Sequence, residues 1–201
     1  MTQELLAQKI VAAAARLFAH HGFHRTGMRA ISQAAGVSIG GIYHYFKSKE
    51  EILLAIVREE VEARLSFLEE LRRQDLPVPE QIRRIVEMHF ARLEENQDIT
   101  QLLHHQWRDP SPLLRQKITA LYEQLAASLA QLIEEGIAAG QIVPCNSTVA
   151  AYALIGLVEG VTQRALAGDA VGEELLKEGP EQLTKILTRW LVPPQEKEAA
   201  K

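Results

Sequence analysis

Residues 26–46 read TGMRAISQAAGVSIGGIYHYF, and this stretch decides the fold. Met28, Ile31 and Ala35 fall at helical spacing and give a first short helix one apolar face. Gly36 stops that helix, because glycine takes a left-handed backbone without steric penalty. Val37 plugs the corner. Ser38 follows as a cap that accepts a bond from a free backbone N–H, so a second helix starts there. In that helix Ile42, Tyr45 and Phe46 face a core, which turns Ile39, Tyr43 and His44 outward. Helix, glycine turn and helix together make the helix-turn-helix arrangement, whose second helix enters a DNA major groove.

The charge is distributed to match. The chain of 201 residues carries a net charge of −4, but residues 1–52 hold six Lys+Arg against three Asp+Glu, and the remainder holds 16 against 23. A basic head on an acidic body suits a polyanion at one end only. Hydrophobic residues make up 47% of the chain, enough to bury a core of one or two domains. Ala, Leu, Glu, Gln and Arg dominate, and they favour helix. The single cysteine, Cys145, permits no internal disulfide and fits a reducing cytoplasm. No signal peptide is visible, and the most apolar run, residues 149–161, is too short to span a membrane and contains Glu159. His20, His21 and His24 have no neighbouring thiol or carboxylate to complete a metal set, so no metal and no cofactor are expected.

Around the central stretch the chain reads as helices throughout. Leu6, Ile10, Ala14, Leu17 and Phe18 stripe a first helix over residues 3–21, ended by Gly22. Ser48 and Glu51 fit a capping box that opens a long helix to about Arg73. Such a helix is a rod that joins head to body. Residues 75–79, DLPVP, break it, and Pro79 suits the first turn of the next helix, which carries Ile82, Ile85, Val86, His89 and Leu93. A shorter helix is predicted from Ile99 to Trp107. Another runs from about Leu114 to near Gly140. The segment from Val149 to Leu166 is apolar on nearly every side, with Gly156 and Gly160 one turn apart. A final helix is predicted from about Pro180, with Leu183, Ile186, Leu187, Trp190 and Leu191 on its stripe. The class is therefore all-α: an amino-terminal three-helix helix-turn-helix domain, residues 1–47, joined to a second helical domain, residues 48–201.

Phe18, Gly22, Phe23, Thr26, Ile31, Ala35-Gly36-Val37-Ser38, Gly40, Tyr43, Tyr45-Phe46, Lys49 and Glu50 resemble the amino-terminal signature of the TetR family of bacterial transcriptional regulators. The resemblance is dense over about a quarter of the chain. Four positions depart from the usual pattern. Ile39 stands where the family often has Lys or Arg, Gly41 where it often has Thr, Ala or Ser, and Ala30 where an acid is common. Gly27 caps its helix without a side-chain oxygen.

The resemblance implies a regulator of transcription that binds double-stranded operator DNA as a homodimer and responds to a small molecule. It places Tyr43 and Lys49 on phosphates, and Thr26 and Arg29 carry donors suited to the same work. Ser38 and His44 are the polar candidates for base edges. Ile39 can touch only a thymine methyl, while Gly40 and Gly41 let the backbone approach DNA closely. The last two helices correspond to the family's dimer surface. Phe67, Met88, Phe90, Leu103, Trp107 and Tyr122 are candidates to line a ligand pocket, or to be plain core. Residues 93–112 also resemble regulators that respond to acyl-CoA thioesters. Arg72-Arg73 and Arg83-Arg84, Arg84 foremost, are candidates to fork onto coenzyme A phosphates, or else to pair with nearby Glu69, Glu70, Glu80 and Glu87. The expected function is a repressor released from a palindromic operator by a small hydrophobic or acyl-CoA ligand. The alternatives are a helical enzyme and an interaction module without DNA binding. No phosphate loop, HExxH, CxxC or GxSxG supports the enzyme.

Overall fold

A computed structural model describes residues 3–95, 99, 102 and 111–194. Among these residues eight helices form and no strand: α1 Gln3–His21, α2 Met28–Ala35, α3 Ile39–Tyr45, α4 Lys49–Arg73, α5 Val78–Glu95, α6 Pro112–Ala138, α7 Ser147–Ala165 and α8 Ala170–Leu191. Ile99 and Leu102 are also helical. The rest of the predicted helix from Ile99 to Trp107 lies outside the described residues. No helix among the described residues is long and apolar enough to cross a membrane.

The chain divides into two compact units. The first comprises residues 1–63 and 96–123, the second residues 64–95 and 124–201. In the first unit α1 packs on α2 and α2 on α3. Ile10, Ala14 and Phe18 are fully buried on α1, and Ile31 and Ile42 bring α2 and α3 onto the same core. Phe18 and Phe23 meet edge to face with ring centroids 5.1 Å apart, a favoured aromatic geometry. The ends of these short helices are set by local chemistry. Gly36 adopts φ 67°, and the Val37 N–H returns to the Ser32 carbonyl at 2.9 Å. The Ser38 hydroxyl oxygen accepts the Gly41 N–H at 3.0 Å. At the start of α4 the Ser48 hydroxyl accepts the Glu51 N–H at 3.3 Å, while the Glu51 carboxylate accepts the Lys47 N–H at 2.7 Å. This is a capping box shifted by one residue on its return arm.

In the second unit α8 packs on α7 and α5. Ile82, Val86, Phe90, Leu132, Ile133, Ala151, Leu154, Leu183 and Leu187 fill its core. The prediction that the last helix starts near Pro180 is corrected: α8 begins ten residues earlier and Pro180 lies inside it. The true start is made by Asp169, whose carboxylate accepts the Gly172 N–H at 2.9 Å and a two-pronged bond from Arg164, both arms 2.9 Å. Two glycines fix the packing of this helix. A Cβ on Gly172 would stand 2.6 Å from the Ala165 carbonyl oxygen, and one on Gly179 would stand 2.8 Å from the Phe90 ring.

Candidate nucleic-acid interface

The head presents α3 outward. Ile42 is fully buried beneath it, whereas Ile39 and Tyr43 are 46% and 51% exposed and His44 is exposed. Gly40 is exposed and Gly41 half-buried. Arg29 is exposed on α2, as are Arg25 before it and Lys47 just after α3. Lys47 was missed as a candidate. Its signal was only its place, directly after the helix that turns outward. Cations, a phenol and an imidazole are therefore all exposed within the span of residues 25–47. The Ser38 oxygen is engaged as the cap, which leaves its O–H as a donor for a base edge or phosphate.

Two residues expected to reach phosphates point inward instead. Thr26 is 3% exposed, and its hydroxyl lies 2.9 Å from the Gly22 carbonyl and 3.3 Å from that of Leu17. It closes the corner between α1 and α2. Lys49 is half-buried, and its ammonium donates to the carbonyls of Phe23 at 2.7 Å and of His24 and Thr26 at 3.1 Å. It also lies 4.5 Å from the centre of the Phe23 ring. Three N–H donors meet three carbonyls, so in this geometry Lys49 positions the head and has no donor to spare. Both corrections have one cause: the carbonyls left over at a tight turn need partners, and these side chains supply them.

The candidate ligand residues are divided between the two units. Phe67, Arg84, Met88 and Phe90 fall in the second unit and Tyr122 in the first. Leu103 and Trp107 lie outside the described residues, as do His104 and His105. Phe90 is 3% exposed with its ring held against Gly179, which makes it core. Phe67, Met88 and Tyr122 are half-buried. The arginines are already engaged with their own chain. Arg84 bonds Glu80 at 3.1 Å and Gln74 at 2.8 Å, and Arg83 bonds Glu80 and Glu87. Bonds from Arg83, then from Arg84, hold the Glu80 carboxyl down at about 2. Arg73 pairs with Glu69 and Glu70, and Arg72 donates to the Ser128 carbonyl at 3.0 Å and pairs with Glu135. Of the two readings of these arginines, the paired one is found. Among the described residues no group of His, Cys, Asp and Glu could hold a metal ion.

A glycine-turned helix pair on a cationic head, with its second helix facing outward, defines a helix-turn-helix DNA-binding protein. Residues 10–56 match the bacterial regulatory proteins of the tetR family, and residues 75–163 match the tetracyclin repressor-like C-terminal domain. The chain belongs to the TetR family and is a transcriptional regulator. It is 29% identical, over 67% of its own length and 69% of the other, to a fatty acid metabolism regulator protein of Bacillus subtilis. Two solved structures share its fold. The fatty acid degradation regulator FadR of Bacillus halodurans superposes with a TM-score of 0.83 at 23% identity, covering 94% of this chain and 97% of that one. FadR of Bacillus subtilis, solved in complex with stearoyl-CoA, gives 0.81 at 23% identity, covering 90% and 97%.

Proposed function

We propose that the chain is a dimeric cytoplasmic repressor that leaves a palindromic operator when it binds an acyl-CoA. Residues 1–47 serve as its DNA-binding domain and residues 48–201 as its ligand-binding and dimerisation domain. The observation that carries DNA binding is the exposed face of α3, in a head that also exposes Arg25, Arg29 and Lys47. Tyr43 and Arg29 contact phosphates. Ser38, Ile39 and His44 face bases, with Gly40 and Gly41 giving the backbone close approach. The choice of ligand class rests on the likeness to the fatty acid regulator and to a structure that holds stearoyl-CoA.

Two copies of α7 and α8 form the dimer surface. On the outer side of α7, Val149 is 63% exposed and Tyr152, Gly156, Leu157 and Gly160 are exposed; on α8, Ile186 and Trp190 are exposed. Apolar residues at this density on the outer face of a helix pair call for a partner surface. The ligand acts by differential affinity: it binds better to a conformation whose two heads do not match half-sites about 34 Å apart. Helix α4 is unbroken from Lys49 to Arg73, so a displacement at one end is carried along its whole length.

Because Arg83 and Arg84 are held by Glu80 and Glu87, the thioester and acyl chain are expected to discriminate among ligands more than the phosphates do. The test is a set of acyl-CoAs of rising chain length, with free coenzyme A and free fatty acids as controls, added to the protein on its selected operator. Release of DNA and a raised melting temperature with long acyl-CoAs alone is the expected result. Release by free fatty acid would move the assignment to a plain lipid. No release by any of them at ~100 micromolar, a generous excess over a useful affinity, would remove the acyl-CoA and leave the regulator.

A further inference from the structure

At 3.6 residues per turn, Ile39, Tyr43, Gly40 and His44 share the outward face of α3 while Ile42 is turned to the core. Ile39 and Tyr43 stand one turn apart and form a ridge along one side of that face. Gly40 lies at its middle and His44 on the far side. The glycine is not required by the fold. A Cβ built on Gly40 meets no atom within 4 Å, its φ is not among the positive values, and alanine would hold a helix better. The head therefore carries a bare notch in its outward helix, walled on one side by an isoleucine that is 46% exposed.

The surroundings say what fits there. Arg25, Arg29 and Lys47 are exposed on the same small domain, and residues 1–52 carry net positive charge while the rest of the chain is acidic. A partner must therefore be anionic and yet offer a small apolar group at the notch. In a major groove the base edges carry one such group, the C5-methyl of thymine. We propose that Ile39 and the bare backbone at Gly40 seat a thymine methyl, which makes Ile39 a specificity-determining residue that reads sequence without a hydrogen bond. This rests on the reading of α3 as the DNA-reading helix. It also gives a physical use to two positions where a side chain with donors is missing.

The experiment starts from a random duplex library and the full chain. Binding sites are selected, and each thymine of the consensus is then replaced by uracil, which removes the methyl and keeps every hydrogen-bonding group. For the wild type, one replacement per half-site is expected to weaken binding about fourfold, the effect of one buried methyl-sized group. Replacing both half-sites should cost roughly the square of that. Ile39→Ala should bind the thymine site weakly and no longer respond to the swap at that step. Since Ile39 is exposed, Ile39→Ala should keep the wild-type melting temperature, which checks its folding apart from DNA binding. Gly40→Ala provides a second arm: it should melt no lower than wild type and yet lose affinity, because its methyl occupies the notch. A wild type indifferent to uracil at every step, or an Ile39→Ala protein that keeps the methyl dependence, would overturn the proposal alone. Failure to enrich any sequence would overturn the DNA-binding reading and the proposal together.

Discussion

Lys49 shows how much one side chain can do at a turn. Its ammonium sits where the carbonyls of Phe23, His24 and Thr26 converge, and the Phe23 ring lies beside it. Removing it leaves three acceptors short of a donor in a partly buried place. Lys49→Ala should therefore lower stability by about 2 kcal/mol, the scale for charge-assisted bonds, and weaken binding to all sequences. The same change separates positioning from direct contact. A phosphate contact contributes about one to the slope of log affinity against log salt. For Lys49→Ala the slope is expected to stay at the wild-type value, and a fall of about one would return Lys49 to the DNA. This residue also marks the reach of sequence reading at its finest scale. Gly36 and Ser38 are legible because their jobs are set by bonds within three to five residues. The roles of Lys49 and Thr26 depend on carbonyls up to 26 residues away, and a donor's chemistry alone does not say whether it turns to solvent or to its own chain.

Among the elements, α8 is where the pattern misleads. Pro180 resembles a helix start because its ring suits a first turn, but here the helix is nucleated ahead of it by Asp169 and held against Phe90 through Gly179. Tertiary packing outweighs the local penalty of the proline. The cap also gives α8 a dependence on pH. Bonds from Arg164 first, and from the Gly172 N–H, hold the Asp169 carboxyl at about 2, below its ordinary 3.8. A carboxyl whose folded value is depressed stabilises the fold above its unfolded value and loses that contribution as pH falls through the folded one. The window is thus between about pH 4 and pH 2. Asp169→Asn keeps an acceptor for the cap but has nothing to protonate. The difference in melting temperature between wild type and Asp169→Asn should be constant above about pH 5 and shrink through that window; a difference that stays constant down to pH 2 would show that the Arg164 pair contributes nothing. The other elements were legible in the sequence, including the long α4 with its capping box and the break at residues 75–77. Each of those is specified by apolar periodicity plus a terminus signal close by.

For the whole molecule, the central question is what covers the outer side of α7 and α8. Gly156 and Gly160 have nothing within 4 Å of an added Cβ, so nothing in the chain itself demands glycine at either position. A second copy approaching backbone to backbone would. Gly156→Leu should leave the monomer's stability near wild type and weaken association at least tenfold, read by sedimentation equilibrium across micromolar concentrations. A variant that stays dimeric would place the interface elsewhere. The all-α class follows from the hydrophobic period, which is summed over many residues. The ligand does not follow in this way. Arg72, Arg73, Arg83 and Arg84 look in the sequence like an anion site, yet each has an acid or carbonyl of its own chain as partner.

Helix α3, which faces outward, is also the least self-sufficient piece of the head. Seven residues with two glycines among them fall far short of the length at which a helix holds in water, so α3 exists because Ile42 anchors it and Ser38 and Gly36 fix its entry. Its amide protons should accordingly trade with solvent deuterium through brief local openings, well before those of α1 open with the domain. On the reading of α3 as the DNA-contacting helix, a matched site should suppress those openings and slow the exchange. A poorly matched site should slow it less, and equal slowing by both would show that the ordering of α3 takes no part in selection.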